Sequence, residues 1–407
     1  MIPQVKAKIK RIQLRSIPEG YKKTKVGVIP DMWRCYQIHE CLSICNHERK
    51  PISEDVRKTI PGPYPYYGPT QAQGYIATYE SKGPAVLIGE DGDHFLKYKD
   101  REMTMYVDGK YTVNNHAHVL RGTELCETEW FYYAYQHKSL FDAITRQGAG
   151  RYKLTKEALI KLPLQCPPIE EQRKIISILT TQDKVIDLKE KLLGEKQRQK
   201  KYLMQQLLTG KKRLPGFYGA WSFPKAKEIF QSVSDKDHKG DLAVLSSTQD
   251  RGIVPRDEVD IDIKYDACSL VNYKKVSKGN FVISLRSFQG GIECSTYTGL
   301  VSPAYTVLSS RKEISDGYYK QFFKSTDYIN RLNVAVYGIR DGKQISYEDF
   351  GRLRIPYPPI KEQDAIAEVL STADHEIDLL QQDIEQEKQK KKALMQLLLT
   401  GIVRVKT

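Results

Sequence analysis

Two stretches of the chain, PPIEEQRKIISILTTQDKVIDL (residues 167–188) and PPIKEQDAIAEVLSTADHEIDL (residues 358–379), repeat one another at a spacing of 191 residues. Roughly half of the aligned positions are identical, and the alignment needs no gap. The same spacing aligns LMQ at residues 203–205 with LMQ at 394–396, and LLTG at 207–210 with LLTG at 398–401. Chance does not produce so long a match, so the chain carries an internal duplication.

Both copies have the signals of a long helix. Pro-Pro precedes each run, glutamate follows in the first turn, and Thr-Gly closes it. An apolar residue recurs every seven positions, which is typical of a coiled-coil seam: Leu179, Ile186, Leu193 and Leu207 in the first copy, and Leu370, Ile377, Ile384 and Leu398 in the second. Because a whole domain separates the copies, an antiparallel pair is the simplest arrangement. Each apolar stripe could instead pack only on its own domain.

Two lysines interrupt the seams at equivalent positions, Lys200 and Lys391. A charge at a seam position lowers stability but fixes the register of the two helices. The lysines could equally lie where the seam opens to receive partner subunits. The sequence leaves both interpretations open.

The two large segments repeat more weakly. GPAVLIGEDG (residues 83–92) is similar to KGNFVISLRS (278–287), and YTVNNHAHVLRG (111–122) to GLVSPAYTVLSS (299–310). Each segment begins near a tryptophan, Trp33 or Trp221, and has short β-branched and aromatic runs typical of strands. Thr155 and Ser346 are predicted N-caps of equivalent short helices. The predicted fold class is therefore α/β (α+β), with one mixed domain used twice in a pseudo-twofold repeat.

The predicted organisation has five parts. They are a basic N-terminal arm (1–25), a first mixed domain (26–166), a first spacer helix (167–213), a second mixed domain (214–357) and a second spacer helix (358–407). The two long antiparallel coiled-coil helices would join the domains, with one domain at each end of the helix pair.

The chain is basic, with a net charge of +14 and a pI near 9.2, which indicates a polyanionic partner. The excess lies in residues 1–25, with a charge of +7, and 170–213, with +6. Lys-rich helices also have solvated faces in proteins that bind no polyanion. No apolar run approaches a membrane span, and no signal peptide is evident. Seven scattered cysteines favour a reducing cytoplasm.

The order of these parts resembles the specificity subunit of type I restriction–modification enzymes. The duplicated Pro-Pro-x-x-Glu-Gln helix ending in Leu-Met-Gln-x-Leu-Leu-Thr-Gly carries the resemblance most specifically. GYKKTKVGVIPDMW (20–33), LTGKKRLPGF (208–217), and LIGEDGDHF (87–95) with VNNHAHVL (113–120) are also similar to family phrases. The resemblance covers essentially the whole chain.

The resemblance implies a DNA-binding protein without chemistry of its own. Each mixed domain would be a target recognition domain that reads one half of an asymmetric bipartite sequence in double-stranded DNA, and the helices would fix the gap. Two methylation subunits would dock on the helical region and methylate adenine with S-adenosylmethionine. Two motor-nuclease restriction subunits could join them. The chain would then hold no cofactor, because S-adenosylmethionine and ATP belong to the partner subunits.

The motifs that the sequence lacks agree with a non-enzyme. There is no phosphate-binding GxxxxGK[ST] loop and no Asn/Asp-Pro-Pro-Tyr/Phe segment of the kind amino-methyltransferases carry. GEDGDH (89–94) is interpreted as a turn between strands. CYQIHECLSICNH (35–47) has spacings that do not fit a closed zinc site, so no metal is predicted. Two alternatives remain, a stand-alone DNA-modifying enzyme with an unrecognised site and a coiled-coil scaffold.

Candidate DNA-reading residues are Arg, Lys and Gln, with two neighbouring tyrosines, on segments rich in Gly and Pro. Arg, Lys and Gln are chosen because their side chains match base edges in the major groove. In the first domain they are Tyr66, Tyr67, Gln71, Gln73, Arg146, Gln147, Arg151 and Lys153. In the second they are Gln249, Arg251, Arg256, Arg286, Gln289, Arg340, Lys343 and Gln344. The loops at 146–153 and 340–344 precede the same helix in the two copies and are the best-matched pair. Each of these residues could instead contact phosphate or merely face solvent.

Overall fold

The computed structural model describes residues 3–14, 16–147, 151–248, 251–259, 267–285, 287, 291–335 and 345–406. Its contacts divide the chain into two units, Met1–Leu188 with Ile384–Thr407, and Lys189–Asp383. Both boundaries fall inside the two long helices, so each unit contains part of each helix. Among the described residues, no helix is long and apolar enough to cross a membrane.

The first unit is a mixed domain built on two four-stranded sheets. Its helices are α1 (Pro3–Gln13), α2 (Ile38–Cys41), α3 (Glu54–Thr59), α4 (Thr128–Tyr135) and α5 (Lys156–Ile160). Its strands are β1 (Tyr21–Thr24), β2 (Gly27–Pro30), β3 (Arg34–Gln37), β4 (Ser43–Ile44), β5 (Pro61–Tyr67), β6 (Ala72–Ile76), β7 (Ser81–Lys82), β8 (Ala85–Gly89), β9 (Thr104–Val107), β10 (Lys110–Val113), β11 (Ala117–Arg121), β12 (Thr145–Gln147), β13 (Arg151–Lys153) and β14 (Pro163–Cys166). One sheet has the order β4-β11-β8-β9 and is antiparallel, and the other has the order β6-β5-β10-β7.

The second unit repeats this design, with fewer strands among its described residues. The first long helix, α6 (Ile169–Leu207), leads into it. The helices that follow are α7 (Ala226–Ile229), α8 (Asp316–Phe323), α9 (Thr326–Ala335), α10 (Tyr347–Arg352) and the second long helix α11 (Ile360–Leu398). The strands are β15 (Phe230–Val233), β16 (Leu245–Thr248), β17 (Gly252–Pro255), β18 (Lys274–Val276), β19 (Phe281–Ile283), β20 (Glu293–Cys294), β21 (Gly299–Val301) and β22 (Thr306–Ser310). The central sheet is antiparallel, in the order β15-β22-β19-β20.

The weak repeat between the domains is confirmed by these sheets. The stretches that were matched by sequence form β8 and β11 in one unit, and β19 and β22 in the other. In each unit the two strands are neighbours at the same place in a four-stranded antiparallel sheet. The predicted caps are also confirmed, because Thr155 Oγ1 accepts the Ala158 N–H at 3.2 Å and Ser346 Oγ accepts the Asp349 N–H at 3.1 Å.

The long helices run antiparallel, and each unit shows this by itself. In the first unit Lys174 on α6 donates to the Lys406 carbonyl at 2.7 Å, whereas Gln182, farther along α6, donates to the Glu387 carboxylate at 2.6 Å. In the second unit Lys189 pairs with Asp383 and Lys196 with Glu376, both at 2.7 Å. Each step forward along α6 is a step back along α11, as the sequence predicted.

The seven-residue stripe is buried where the helices join a domain. Six seam residues are buried (Leu179, Ile186, Leu207, Leu370, Ile384 and Leu398), and Leu193 and Ile377 are half-buried. Leu179 and Leu398 belong to the core of the first unit, whereas Leu207 and Leu370 belong to that of the second. The stripe therefore serves the helix pair and the domain together, so the two interpretations of the sequence were not exclusive.

A buried carboxylate fixes the start of each long helix. Glu171 is 1% exposed and accepts two hydrogen bonds from Arg404, at 2.5 and 2.7 Å, and one from the indole N–H of Trp33 at 3.0 Å. Arg404 follows the Thr-Gly stop of the other copy, α11. We call these three residues the Glu171 clamp. Two parallel hydrogen bonds between a guanidinium and a carboxylate are among the strongest polar contacts in proteins.

The second unit contains the equivalent set, the Glu362 clamp. The carboxylate of Glu362, which is fully buried, accepts from Arg213 at 2.5 and 2.6 Å and from the Trp221 indole at 2.9 Å. Glu171 and Glu362 are one repeat apart, and so are Arg213 and Arg404. In each clamp the glutamate comes from the beginning of one copy and the arginine from the end of the other. This arrangement explains why the helix sequence occurs twice. Each copy supplies the glutamate of one clamp and the arginine of the other.

The seam lysines are both paired. Lys391 Nζ lies 2.6 Å from Asp183 Oδ1, and the Tyr133 hydroxyl of α4 donates to Asp183 Oδ2 at 2.7 Å. In the second unit Lys200 pairs with Asp374, whose other oxygen accepts from Gln321 of α8 at 2.6 Å. Each ion pair joins the two long helices and the domain packed on them, which favours a register-fixing role.

Candidate nucleic-acid interface

Most of the predicted reading residues of the first domain lie on two loops that share one edge of the unit. The first is the turn between β5 and β6, closed by the Gly68 N–H bonded to the Gln71 carbonyl at 2.8 Å. Gln71 is exposed on this turn, Gln73 is exposed on β6 directly after it, and Tyr67 is half-buried beside Tyr111. The second is the hairpin of β12 and β13, on which Arg146 is exposed. We call these two loops the reading edge.

Two loops hold the reading edge together, the Gly- and Asp-rich loop 89–94 and the loop 114–118, which begins with two asparagines. Asn114 donates its backbone N–H to the Tyr67 carbonyl at 2.9 Å, and its side chain reaches Gln73 at 3.4 Å. Asn114 Oδ1 also accepts the His116 N–H at 2.8 Å, and the His116 ring lies 3.0 Å from Asp91. A chain of polar contacts thus runs from the β5–β6 turn to the loop 89–94.

The loop 89–94 in turn carries the hairpin. Its backbone makes two hydrogen bonds to that segment, from Leu154 N–H to the Glu90 carbonyl at 2.7 Å and from Gly92 N–H to the Tyr152 carbonyl at 3.0 Å. The Glu90 carboxylate adds an ion pair to Lys153 at 3.3 Å. Sequence reasoning interpreted GEDGDH as a plain turn and missed this supporting role, although the family phrase LIGEDGDHF marked the segment.

Glu90 is also the electrostatic centre of this edge. Its side chain is 18% exposed and accepts a hydrogen bond from Arg49 at 2.7 Å. Burial favours the neutral acid, but the hydrogen bonds from Arg49 and Lys153 outweigh it and lower the pKa of Glu90, so the group is a carboxylate. Burial lowers the pKa of His118. Its Nε2 faces the Leu154 carbonyl at 2.8 Å and its Nδ1 faces the Asn46 amide at 2.9 Å, as a neutral imidazole requires.

Tyr66 is not on the reading edge, and its prediction as a DNA contact is wrong. It is 1% exposed, and its hydroxyl accepts the Ile52 N–H at 2.9 Å and donates to the Lys50 carbonyl at 3.2 Å. The Arg57 guanidinium lies 4.7 Å from its ring centre. On β5 the side chains alternate between faces, so Tyr66 points into the core while its neighbour Tyr67 remains half-buried.

In the second unit, the structure describes fewer of the predicted reading residues. Arg251 is exposed and pairs with Glu258 at 2.7 Å, and Arg256 Nε donates to the Ser246 hydroxyl at 3.1 Å beside the β16–β17 hairpin. The remaining candidates, Gln249, Arg286, Gln289, Arg340, Lys343 and Gln344, lie outside the described residues. In the first unit, the backbone of Gln147 and Arg151 is described but their side chains are not.

Three cysteines that are distant in sequence meet in the core of the first unit. The thiols of Cys41, Cys126 and Cys166 lie within 4.8 Å of one another, and all three residues are buried. Only Cys41 belongs to the stretch 35–47 in which a metal was considered. At the position of Cys41, the last residue of α2, the second unit has Ile229 at the end of α7. Cysteine packs well as a small apolar residue, and the exchange with isoleucine agrees with that use.

Comparisons with known proteins converge on one family. The type I restriction modification DNA specificity domain matches residues 30–195 and again 201–389. A putative type I restriction enzyme MjaX specificity subunit from Methanocaldococcus jannaschii is 25% identical over 432 aligned positions, which cover 96% of this chain and 98% of that protein. A putative type I restriction enzyme specificity subunit from Haemophilus influenzae is 33% identical over 142 residues, 35% of each chain.

Solved structures share the fold. The type I restriction-modification S subunit from M. genitalium superposes with a TM-score of 0.58 at 13% identity, covering 92% of this chain and 97% of that one. A structure described as the basis of complex assembly and conformational transition of the type I R-M system gives a TM-score of 0.52 at 16% identity, covering 92% and 99%. The matches extend over both mixed domains and both long helices.

Proposed function

This chain belongs to the type I restriction modification DNA specificity family, and we propose that it is the subunit that recognises the target sequence of a type I restriction–modification complex. The observation that carries the proposal is the duplication itself. Two domains share one sheet order but present different loops, and each is joined to its own part of an antiparallel helix pair. Two such readers joined by one helical spacer would read two different half-sites of double-stranded DNA.

The reading edge would contact the first half-site. Gln71 and Gln73 can form paired hydrogen bonds with adenine, and Arg146 with guanine, and all three are exposed at the reading edge. In the second domain the β16–β17 hairpin with Arg251 and Arg256, together with Arg340, Lys343 and Gln344, would read the other half. Arg and Lys on both surfaces would also contact phosphates.

The chain would supply no chemistry of its own. Two methylation subunits would dock on the helical region and methylate adenine with S-adenosylmethionine, and two motor-nuclease restriction subunits that use ATP could complete the complex. Cysteines without disulfides among the described residues agree with the cytoplasm as the place of action. A stand-alone enzyme would instead have to modify DNA when purified alone, and a scaffold would show no sequence preference.

Two arginine substitutions test the assignment of one domain to one half-site. Arg146→Ala should relax recognition of only the first half-site and Arg340→Ala of only the second, because each is proposed to contact a different half. Methylation patterns of cells that express each variant with the cognate methylation subunit give the readout, and Arg34→Ala, an exposed arginine away from the reading edge, is the control. Equal relaxation of both halves by either variant would refute the assignment.

A further inference from the structure

We propose that Glu90 and Lys153 act together as positioning residues for the β12–β13 hairpin, so that Lys153, a predicted DNA contact, orients the reading residue Arg146 instead of touching DNA. This inference rests on the proposed reading of one half-site by the first domain. It concerns how one reading loop is held, which the fold alone does not specify.

The geometry separates Lys153 from Arg146 along the hairpin. Arg146 is exposed, whereas the Lys153 side chain is one-third exposed and its ammonium lies 3.3 Å from Glu90 Oε1. Thr145 pairs with Lys153 at the base of the hairpin, and Arg146 pairs with Tyr152 one step farther out. Lys153 therefore lies where the hairpin meets the domain, and Arg146 lies toward its tip.

Glu90 can anchor this base because it is itself firmly held. Its other carboxylate oxygen accepts from Arg49 at 2.7 Å, and the Arg49 guanidinium also donates to the Asn115 carbonyl at 3.1 Å. The anchor thus reaches loop 114–118, the same loop that holds Gln73 through Asn114. One carboxylate links both halves of the reading edge.

Neutral variants of the pair should fold. The backbone hydrogen bonds from Leu154 to Glu90 and from Gly92 to Tyr152 do not depend on the side-chain charge. Arg49 and Lys153 are 21% and 33% exposed, so water can solvate either of them when Glu90 is neutral. The hairpin would stay attached but would lose the ion pair that fixes its direction.

The experiment is a double-mutant cycle in DNA binding. Glu90→Gln, Lys153→Gln and the double variant are each assembled with the cognate methylation subunits. Binding is measured to a duplex that carries the sequence that the unaltered complex methylates. It is also measured to duplexes in which one half-site of that sequence is altered. Glu80→Gln with Lys50→Gln removes another ion pair of the same unit, 2.5 Å long, and is the matched control.

Each single variant should reduce discrimination at the first half-site about ten-fold, roughly the contribution of one well-placed side chain to base readout. The double variant should lose no more than either single variant, and discrimination at the second half-site should not change. The salt dependence of binding should also stay the same, because Lys153 would neutralise no phosphate. The control variants should match the unaltered protein.

Additive losses in the double variant, or a salt slope lower by about one for Lys153→Gln alone, would show that Lys153 touches DNA and would overturn the inference. Full discrimination in both single variants would overturn it as well. Failure of the proposed function is distinguishable, because then the unaltered complex itself would not discriminate between the duplexes.

Discussion

Replacing Arg404 with alanine removes the cation from the Glu171 clamp while the glutamate stays buried. Glu171 is 1% exposed and would keep only the Trp33 indole as a donor among its observed partners. Removing one partner of a buried ion pair typically costs about 3–5 kcal/mol, because the other charge is left uncompensated. The Arg404 side chain is 34% exposed, so water can enter the space it leaves. We therefore expect the first unit to lose about 2–3 kcal/mol of unfolding free energy.

The assay is urea unfolding followed by tryptophan fluorescence, with hydrogen exchange to locate the loss. Exchange should accelerate around Trp33 and the start of α6, in the first unit only. Arg213→Ala should produce the corresponding loss in the second unit, through Glu362. Lys406→Ala, two residues from Arg404, is the control and should change stability by less than about 0.5 kcal/mol.

A rescue variant makes the test specific to the pair. Glu171→Gln combined with Arg404→Met removes both charges, and the glutamine oxygen can still accept the Trp33 indole N–H. The double variant should recover about half or more of the loss, because no buried charge remains. Strictly additive losses, or an Arg404→Ala variant as stable as the Lys406→Ala control, would refute the clamp.

Three further predictions concern the helix pair and the core. Lys391→Met should destabilise the first unit by about 1–2 kcal/mol, because it leaves Asp183 without its cation. The control, Lys392→Met at the exposed neighbouring position, should have no effect in the same urea assay. Equal effects of the two variants would show that the seam pair has no structural role. Inserting four residues, about one helical turn, near Gly194 should lengthen the gap of the methylated motif without altering either half, and an unchanged gap would contradict the ruler function. The purified chain should contain no stoichiometric zinc by elemental analysis, and one equivalent that disappears in Cys126→Ser would show that the three thiols form a metal site.

Structural features that depend on apolar periodicity and on the internal repeat were predicted from the sequence. The helix pair and the repeat of the mixed domain follow from apolar spacing and self-alignment, because these signals are local and occur twice. The antiparallel sense follows from the whole domain that separates the two helices. The Thr-Gly stops are an example: Gly210 and Gly401 both adopt left-handed backbone, with φ of 71° and 68°, at the same place in the two copies.

Contacts between residues that are distant in the sequence could not be predicted from it. Nothing in the order of residues brings Arg404 to Glu171 or Cys126 to Cys41, since these pairs form only when separate segments pack. Tyr66 was misassigned for the same reason, because a Pro- and Tyr-rich strand does not indicate which tyrosine faces the core. The role of Glu90 was missed because a glycine-rich acidic turn looks alike whether or not it supports another loop.

The central claim is that two different readers share one spacer, and sequencing of methylated genomic DNA tests it most directly. Cells would express this chain with its cognate methylation subunit, and cells lacking the gene for this chain would be the control. The account predicts an asymmetric motif in two parts, separated by an unread gap of constant length and methylated at adenine in each half. A continuous motif, or a methylation pattern that persists when the gene is removed, would contradict it.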